Sequence, residues 1–236
     1  IMGTAKIKKG GKIDVKAADG TTKEYTAKHT ILATGARSRE LPNLPQDGTK
    51  IIGYRQAMNL PKQPKSIVVV GSGAIGVEFA YFYNAIGTQV TIVEFMDRIV
   101  PVEDEEISKQ LEKSLKKAGI NILTKSEVTS VDTKGELSKV HIKTAKGEEV
   151  IEAEVVLSAV GITPNIENLG LEEVGVKTDK GRVLVDDYYK TNIDGVYAIG
   201  DIVKGQALAH VASAEGITCV EKIKGLHVDP IDYNNI

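Results

Sequence analysis

The chain has 236 residues, of which 42% are hydrophobic and 26% are charged, and its formal net charge is −2. This composition indicates a globular protein with a sizeable core, arranged as one large domain or two smaller ones. The near-neutral charge argues against nucleic acid or an anionic membrane as a partner, and no apolar run reaches the roughly 18 residues of a membrane span. A single cysteine excludes an internal disulfide and fits a reducing compartment, so we expect the cytoplasm.

Residues 1–62 begin as an antiparallel meander. Alternating residues and one Asp-Gly turn predict three strands, Gly3–Ile7, Lys12–Ala17 and Thr22–Thr34. The third strand ends in Ala33-Thr34-Gly35, where small residues would let a ligand approach the backbone, although a plain turn is an equally good interpretation. Four prolines between residues 36 and 65 predict a connection that contains one short helix around Tyr54–Asn59.

The most informative stretch is residues 66–94. It contains, in order, a strand, a G-x-G-x-x-G loop, a helix ending near Gly87 and a second strand, the two strands being Ile67–Val70 and Gln89–Val93. Glu94 closes the second strand, at about the spacing from the glycines at which an acidic residue binds a ribose. All these parts together predict a dinucleotide-binding βαβ unit, whereas an ordinary glycine-rich turn would need only the glycines.

Each glycine of this loop has a separate mechanical role. Gly71 allows the tight turn out of the strand, Gly73 has no Cβ to keep a pyrophosphate away, and Gly76 lets the helix pack against the strand. The start of the helix then offers unpaired N–H groups and a positive dipole end to the phosphates. Glu94 would bind the ribose hydroxyls and repel a 2′-phosphate, so the sequence favours NAD over NADP.

The dinucleotide unit is predicted to continue to residue 162. Asp104 is placed to cap a helix running to Ala118, and that helix has an apolar stripe formed by Ile107, Leu111 and Leu115. Further strands are predicted at Ile120–Leu123, Val128–Val131, Val140–Ile142, Val150–Ile151 and Glu154–Val160, the last ending in Gly161.

Residues 163–236 combine short strands with one long helix. Strands are predicted at Arg182–Val185 and Val196–Ile199, and a helix from Ala207 to about Gly225. Asp201 follows the second strand and is either a ligand of a ribityl or sugar hydroxyl or an ordinary turn residue. No metal site is expected, because four scattered histidines and one cysteine give no ligand spacing.

Six motifs in fixed order resemble the flavoprotein disulfide reductases. They are ILATG (31–35), GSGAIGVEFA (71–80), TIVEFMDRIVP (91–101), AVGITPN (159–165), GVYAIGD (195–201) and ALAHVASAEG (207–216). The similarity is greatest to the branch of this family that oxidises dihydrolipoamide. The resemblance implies an α/β fold in which a Rossmann-like NAD(P)-binding domain, residues 63–162, is inserted in a partial FAD-binding domain of residues 1–62 and 163–236.

The resemblance also implies two sets of cofactor-binding residues. For NAD they are Gly71, Ser72, Gly73, Ala74, Ile75, Gly76, Glu78, Glu94, Val128 and Gly161. For FAD they are Gly3, Thr34, Gly35, Ala36, Asp201, Ala207, Leu208, Ala209 and His210. Glu78 is in addition the expected catalytic side chain, because it matches a glutamate that lies beside the flavin and near the nicotinamide.

Parts of the family pattern are missing from these residues. The first G-x-G-x-x-G for FAD and the C-x-x-x-x-C redox pair are expected upstream of residue 1, and a dimerisation domain with a His-Glu acid/base pair is expected after residue 236. The FAD site would then be incomplete and the chain alone inactive. The intact parent is expected to be a homodimer that acts on a dihydrolipoamide-bearing protein of a 2-oxoacid dehydrogenase complex.

Two other interpretations stay open from the sequence. One is a sister reductase, such as an NADH oxidase, a mercuric reductase or a glutathione reductase, although Glu94 disfavours the NADPH-dependent glutathione reductases. The other is a non-catalytic NAD-binding module, which would have no use for the flavin-side motifs. Ile162-Thr163 also stands where many family members have arginine, which weakens any expectation of a phosphate contact there.

Overall fold

The computed structural model describes residues 1–235, which form two compact units. The inserted unit is Ser38–Ile162, and the outer unit joins residues 1–37 to the chain from Thr163 onward. Within the described residues, no helix has the length and apolar character needed to cross a bilayer.

The secondary structure comprises 17 strands and five α-helices among the described residues. The strands are β1 (Thr4–Lys8), β2 (Lys12–Lys16), β3 (Thr22–Thr26), β4 (Thr30–Leu32), β5 (Ala36–Ser38), β6 (Ile51–Ile52), β7 (Ser66–Val70), β8 (Gln89–Val93), β9 (Asn121–Leu123), β10 (Glu127–Asp132), β11 (Ser138–Thr144), β12 (Gly147–Ala153), β13 (Val155–Ser158), β14 (Ile162–Pro164), β15 (Thr178–Asp179), β16 (Arg182–Val183) and β17 (Val196–Ala198). The α-helices are α1 (Tyr54–Ala57), α2 (Ala74–Ala85), α3 (Glu105–Lys117), α4 (Leu171–Val174) and α5 (Ala209–Lys224), and 3₁₀ turns lie at Gly200–Ile202 and Tyr233–Asn235.

A five-stranded parallel sheet of order β6-β13-β7-β8-β9 is the centre of the inserted unit. Alternate residues of β7 face opposite sides, as the pleat requires. Ile67 and Val69 pack in the apolar cluster that includes residues of α2 and α3. Val68 and Val70 pack in a second cluster that includes residues of the β10–β11–β12 meander. Both faces are therefore covered, which explains why β7 is almost uniformly apolar.

The unit boundary differs from the expected one at residue 62. The inserted unit begins at Ser38, 25 residues before the predicted start at residue 63 (63 − 38). The reason is that Ile51 and Ile52 form β6, which pairs with β13 and extends the parallel sheet. Leu44 is also buried in the cluster beneath that sheet. The proline-containing connection is thus a packed part of the inserted unit.

Helix α3 begins and ends close to the predicted residues, but its buried face differs from the predicted apolar stripe. The Asp104 carboxylate accepts hydrogen bonds from the backbone N–H groups of Glu106 (2.8 Å) and Ile107 (3.3 Å), so Asp104 is the N-cap. The Ile107 side chain, however, is 61% exposed and does not belong to the buried face. Ser108 is buried instead, because its hydroxyl donates to the Ile99 carbonyl oxygen at 2.6 Å.

The outer unit contains the β1–β2–β3 meander and a two-stranded parallel pair, β4 and β17. The predicted strand Thr22–Thr34 is broken into β3 and β4. The physical cause is a change of partner, since β3 pairs with β2 up to Thr26 and the chain then joins β17 from Thr30. Residues of β1, β4 and β17 meet in one apolar cluster with α4 and the Gly200–Ile202 turn.

Candidate dinucleotide-binding site

The glycine-rich loop connects the carboxyl end of β7 to α2, and its three glycines meet different surroundings. Gly71 has φ +97°, and a Cβ there would lie 2.6 Å from the carbonyl oxygen of Ala159. A Cβ on Gly76 would overlap the carbonyl oxygen of Gly71. Gly73 has neither restriction, because a Cβ there would find no heavy atom within 4 Å. Gly71 and Gly76 are therefore required by the fold, whereas Gly73 leaves space.

Helix α2 begins in a way that suits an anion. Its N-cap is Gly73, which is extended and supplies no side-chain acceptor, and its first turn carries no acidic residue. The first N–H groups of any α-helix lack intrahelical partners, and the helix dipole makes that end positive. The predicted residues Ala74 and Ile75 lie at this end, with Ala74 exposed and Ile75 half-buried. A pyrophosphate placed here would meet backbone donors at close range.

Glu94 is fastened to the glycine-rich loop. Its side chain is only 6% exposed, and Oε2 accepts hydrogen bonds from the Ser72 backbone N–H (2.8 Å) and hydroxyl (2.5 Å). Oε1 accepts from the Met96 backbone N–H at 2.7 Å. An ionised carboxylate has about four acceptor sites, so these three donors leave room for a ribose hydroxyl. The carboxylate thus lies where β8 ends, beside the loop that begins α2.

The loop that follows β8 also holds Ser72 through a backbone hydrogen bond. The Ser72 carbonyl oxygen accepts from the Val100 backbone N–H at 3.0 Å, and Val100 has φ +38°. A positive φ is unusual for a β-branched residue and costs on the order of 1–3 kcal/mol. Such a conformation persists only where the surroundings hold it, and Val100 is buried in the core cluster that contains Ile99.

The remaining predicted NAD residues divide into exposed and buried positions. Gly161 is exposed, has φ +113° and would meet no heavy atom within 4 Å of an added Cβ. Glu78 is exposed on α2, in the turn that follows the glycine-rich loop. Val128 is buried in an apolar cluster, and its carbonyl oxygen accepts from the Asn43 side-chain amide at 2.7 Å. The Val128 side chain therefore packs in the core, and its contact with an adenine stays a prediction.

The predicted FAD residues lie in the outer unit, at the carboxyl ends of neighbouring strands. Thr34 and Gly35 follow β4, and Asp201 follows β17, its parallel partner. Thr34 is exposed and Gly35 has φ +65° with no heavy atom within 4 Å of an added Cβ, whereas Ala36 is buried. Ends of adjacent parallel strands are a common place for a nucleotide.

The two other parts of the FAD prediction, the start of α5 and Gly3, have different surroundings. Helix α5 starts at Ala209, two residues after the predicted start, so Ala207 and Leu208 precede it; all three and His210 are exposed. Gly3 has φ +156°, and a Cβ there would meet the Lys16 carbonyl oxygen at 2.5 Å. Gly3 is therefore required by the packing of the first two strands.

Sequence reasoning assigned no role to Glu215, which supports the Asp201 turn. Its side chain is 1% exposed, and its carboxylate accepts from the Gly200 backbone N–H (2.5 Å) and the Tyr233 hydroxyl (2.7 Å). The Tyr233 hydroxyl also lies 3.0 Å from that of Tyr189. Burial, and then the hydrogen bond with Glu215, raise the pKa of Tyr233. The only available signal was the glutamate within ALAHVASAEG, and its partners are not evident from spacing.

A polar network ties Thr34 to the segment that starts at residue 163. The Thr34 hydroxyl donates to the Asn165 carbonyl oxygen (2.6 Å), and the Asn165 amide donates to the Thr34 carbonyl oxygen (3.1 Å). Arg37 donates to the Asn165 side chain (2.9 Å) and, through both terminal nitrogens, to Glu167 (3.0 and 2.7 Å). The hydrogen bond from Arg37 is the main reason why the pKa of Glu167 falls from 4.5 to about 2.

This depressed pKa predicts a measurable titration. A carboxyl group whose pKa is lower in the folded state stabilises the fold above about pH 4.5, and the contribution is lost as pH falls through about 2. Carbon-detected NMR should find Glu167 titrating near pH 2, and Arg37→Gln should return its pKa towards 4.5. The effect on stability should be small, because both side chains are about half exposed. A wild-type Glu167 that titrates near 4.5 would contradict the assignment.

Comparison with known proteins decides the family. A sequence profile described as "Pyridine nucleotide-disulphide oxidoreductase" matches residues 1–216. The chain belongs to this family. Its mixed α/β fold with a parallel sheet is accordingly that of the FAD/NAD(P)-binding disulfide reductases, as the six sequence motifs predicted.

Individual members of the family cover the whole chain. The dihydrolipoyl dehydrogenase of Rhizobium etli is 46% identical over an alignment of 252 residues, which includes 100% of this chain and 52% of that protein. The mitochondrial dihydrolipoyl dehydrogenase of Pisum sativum is 41% identical over 100% of this chain and 48% of that protein. The chain spans about half the length of the curated relatives it matches.

A solved structure agrees with the fold. The protein LpdA of Mycobacterium tuberculosis superposes with a TM-score of 0.90 at 32% identity, over 100% of this chain and 52% of that one.

Proposed function

We propose that this chain is the NAD-binding core of a flavoprotein of the dihydrolipoyl dehydrogenase type. The observation that carries the proposal is the Glu94 carboxylate, fixed at the end of β8 beside the glycine-rich loop. Relatives of 41–46% identity that are named dihydrolipoyl dehydrogenases support the same conclusion. The parts expected of an NAD site, namely an uncapped helix start, space at Gly73 and a carboxylate for the ribose, occur in one unit.

The choice of NAD over NADP follows from charge and burial. A 2′-phosphate would bring about two negative charges to a site that already has the Glu94 carboxylate, and the described contacts of that carboxylate include no cation. Repulsion between like charges is strong where little water screens it, and Glu94 is almost fully buried. The ribose hydroxyls of NAD can instead donate hydrogen bonds to the carboxylate.

The same proposal assigns the flavin side to the outer unit. FAD supplies the redox chemistry of such enzymes when it is bound, passing electrons from a dithiol to NAD. Thr34, Gly35 and Asp201 would hold part of it, because they are adjacent at strand ends and Glu215 fixes the turn before Asp201. Glu78, which is exposed on α2, would be the catalytic side chain.

The activity of the whole protein belongs to this proposal too. The substrate would be dihydrolipoamide carried on a protein of a 2-oxoacid dehydrogenase complex, and the enzyme would be a cytoplasmic homodimer. These 236 residues include one cysteine, which is buried. They cannot by themselves supply a pair of redox cysteines, so the chain alone is expected not to turn over dihydrolipoamide.

A direct binding measurement tests the proposed function. The chain contains no tryptophan, so the fluorescence of NADH can be followed without interference from indole. We expect saturable binding of NADH and a preference over NADPH of roughly tenfold or more, which corresponds to about 1.4 kcal/mol. Absence of saturable NADH binding, or a preference for NADPH, would overturn the proposal.

A further inference from the structure

We infer that Ser72 is a positioning residue that sets the preference for NAD by holding the Glu94 carboxylate, without touching the dinucleotide itself. This inference rests on the proposed NAD function and adds to it a second determinant of specificity. It also replaces the expectation that Ser72 is one of the direct contacts of the cofactor.

Burial and hydrogen bonding exclude Ser72 from direct contact. Its side chain is 0% exposed. Its backbone N–H and its hydroxyl both donate to Oε2 of Glu94, at 2.8 and 2.5 Å. Its carbonyl oxygen accepts from the Val100 N–H at 3.0 Å. Both donors of Ser72 are therefore engaged, and neither is free to bind a phosphate oxygen unless Glu94 is released.

The same contacts restrict how Glu94 can point. Two donors from Ser72 fix Oε2, and the Met96 N–H fixes Oε1 at 2.7 Å. Rotation about the terminal bond of the side chain would break at least one of these charge-assisted hydrogen bonds. The remaining acceptor direction of the carboxylate is thus held in one orientation before a ribose arrives. Pre-organisation of this kind strengthens binding because less order has to be imposed by the ligand.

The hydroxyl of Ser72 is the part that mutation can remove selectively. Alanine at position 72 keeps the backbone N–H bond to Glu94 and the bond from Val100 but removes the hydroxyl donor. The carboxylate would then have one donor fewer and a wider range of orientations. We expect the affinity for NADH to fall about fivefold in Ser72→Ala, whereas affinity for NADPH should stay within about twofold, because a repelled 2′-phosphate gains nothing from a well-oriented carboxylate.

The experiment compares NADH and NADPH titrations for the wild-type chain, Ser72→Ala, Glu94→Ala and the double variant. If Ser72 acts through Glu94, adding Ser72→Ala to Glu94→Ala should weaken NADH binding no further. Ser138→Ala is the matched control, since Ser138 is also 0% exposed but its hydroxyl has no hydrogen-bond partner among the described residues. Its affinities for both dinucleotides should equal those of the wild type.

The outcomes separate this inference from the proposed function. The positioning role would be overturned if Ser72→Ala left the ratio of NADH affinity to NADPH affinity unchanged. It would also be overturned if Ser72→Ala weakened NADH binding as much in the Glu94→Ala background as in the wild type. A wild-type chain that binds no NADH would overturn the proposed function, and the inference with it. Circular dichroism verifies that each variant is folded. If Ser72→Ala does not fold, Ser72→Cys replaces it, because a thiol of similar size is a much weaker donor.

Discussion

Replacing Glu94 with alanine should weaken NADH binding by roughly tenfold to a hundredfold, because hydrogen bonds to a charged group contribute about 1.5–3 kcal/mol. Affinity for NADPH should stay the same or rise, since the variant no longer opposes a 2′-phosphate. The preference between the two cofactors should therefore collapse. Titrations of both dinucleotides, monitored by their own fluorescence, measure the ratio directly.

The same substitution should lower the free energy of unfolding. Glu94 is the acceptor for two donors of Ser72 and for the Met96 N–H, and Ser72 is fully buried. An unsatisfied buried donor costs roughly 1–3 kcal/mol. Binding must accordingly be measured where urea unfolding curves show that the variant is folded. Glu149→Ala is the control, because Glu149 is exposed on β12 and distant in sequence from the glycine-rich loop. An unchanged NADH preference in Glu94→Ala would contradict the ribose assignment.

The elements of the βαβ unit could be predicted from sequence because their signals are local. The strand Gln89–Val93 has the predicted bounds, and β7 differs by one residue, since a buried parallel strand is apolar on both faces. Asp104 was recognisable as an N-cap because its partners are two and three residues away. Patterns that act within a few residues are thus readable without a fold.

The remaining features depend on distant partners. β6 is two residues long and exists because β13 provides an edge about 100 residues later in the chain (156 − 51 = 105). The break between β3 and β4 reflects the pairing of Thr30 with Val196. Ile107 continues an apolar stripe in sequence, yet α3 buries Ser108 through a bond to Ile99. Propensity and periodicity contain no information about these partners.

The candidate site shows the same division. Glycine spacing and the terminal acid identified the loop and Glu94, but the bond between Ser72 and Glu94 joins residues 22 positions apart. The sequence therefore identified Ser72 as a member of the motif but not as the hydrogen-bond donor to Glu94. Glu215 is a similar case, because it accepts a hydrogen bond from the Gly200 N–H, 15 positions earlier in the chain. That bond holds the turn before Asp201, which the sequence could place only at a strand end.

Gly73→Val should abolish detectable dinucleotide binding, a loss of at least about a hundredfold, and leave the fold intact. Gly73 has φ −66°, which any residue adopts, and an added Cβ would find no protein atom within 4 Å. Valine is less favourable than glycine at the N-cap by roughly 1 kcal/mol, so the variant should stay folded with a modestly lower thermal midpoint. Its two methyl groups would instead occupy the space that a pyrophosphate needs beside the first turn of α2. NADH titration together with thermal unfolding measures both effects.

Gly76→Val provides the matched comparison, because the chemical change is the same and the site is three residues away. A Cβ at position 76 would overlap the Gly71 carbonyl oxygen and approach the Ala159 Cβ to 3.5 Å. Because the Gly71 carbonyl oxygen belongs to the backbone, the helix must shift to relieve the overlap. The thermal midpoint should therefore fall strongly, as in other overpacked cores. We therefore expect Gly73→Val to be folded but unable to bind the dinucleotide, and Gly76→Val to be destabilised. If Gly73→Val retained its NADH affinity, the pyrophosphate could not lie against this loop, because the valine methyl groups and the phosphates would occupy the same space.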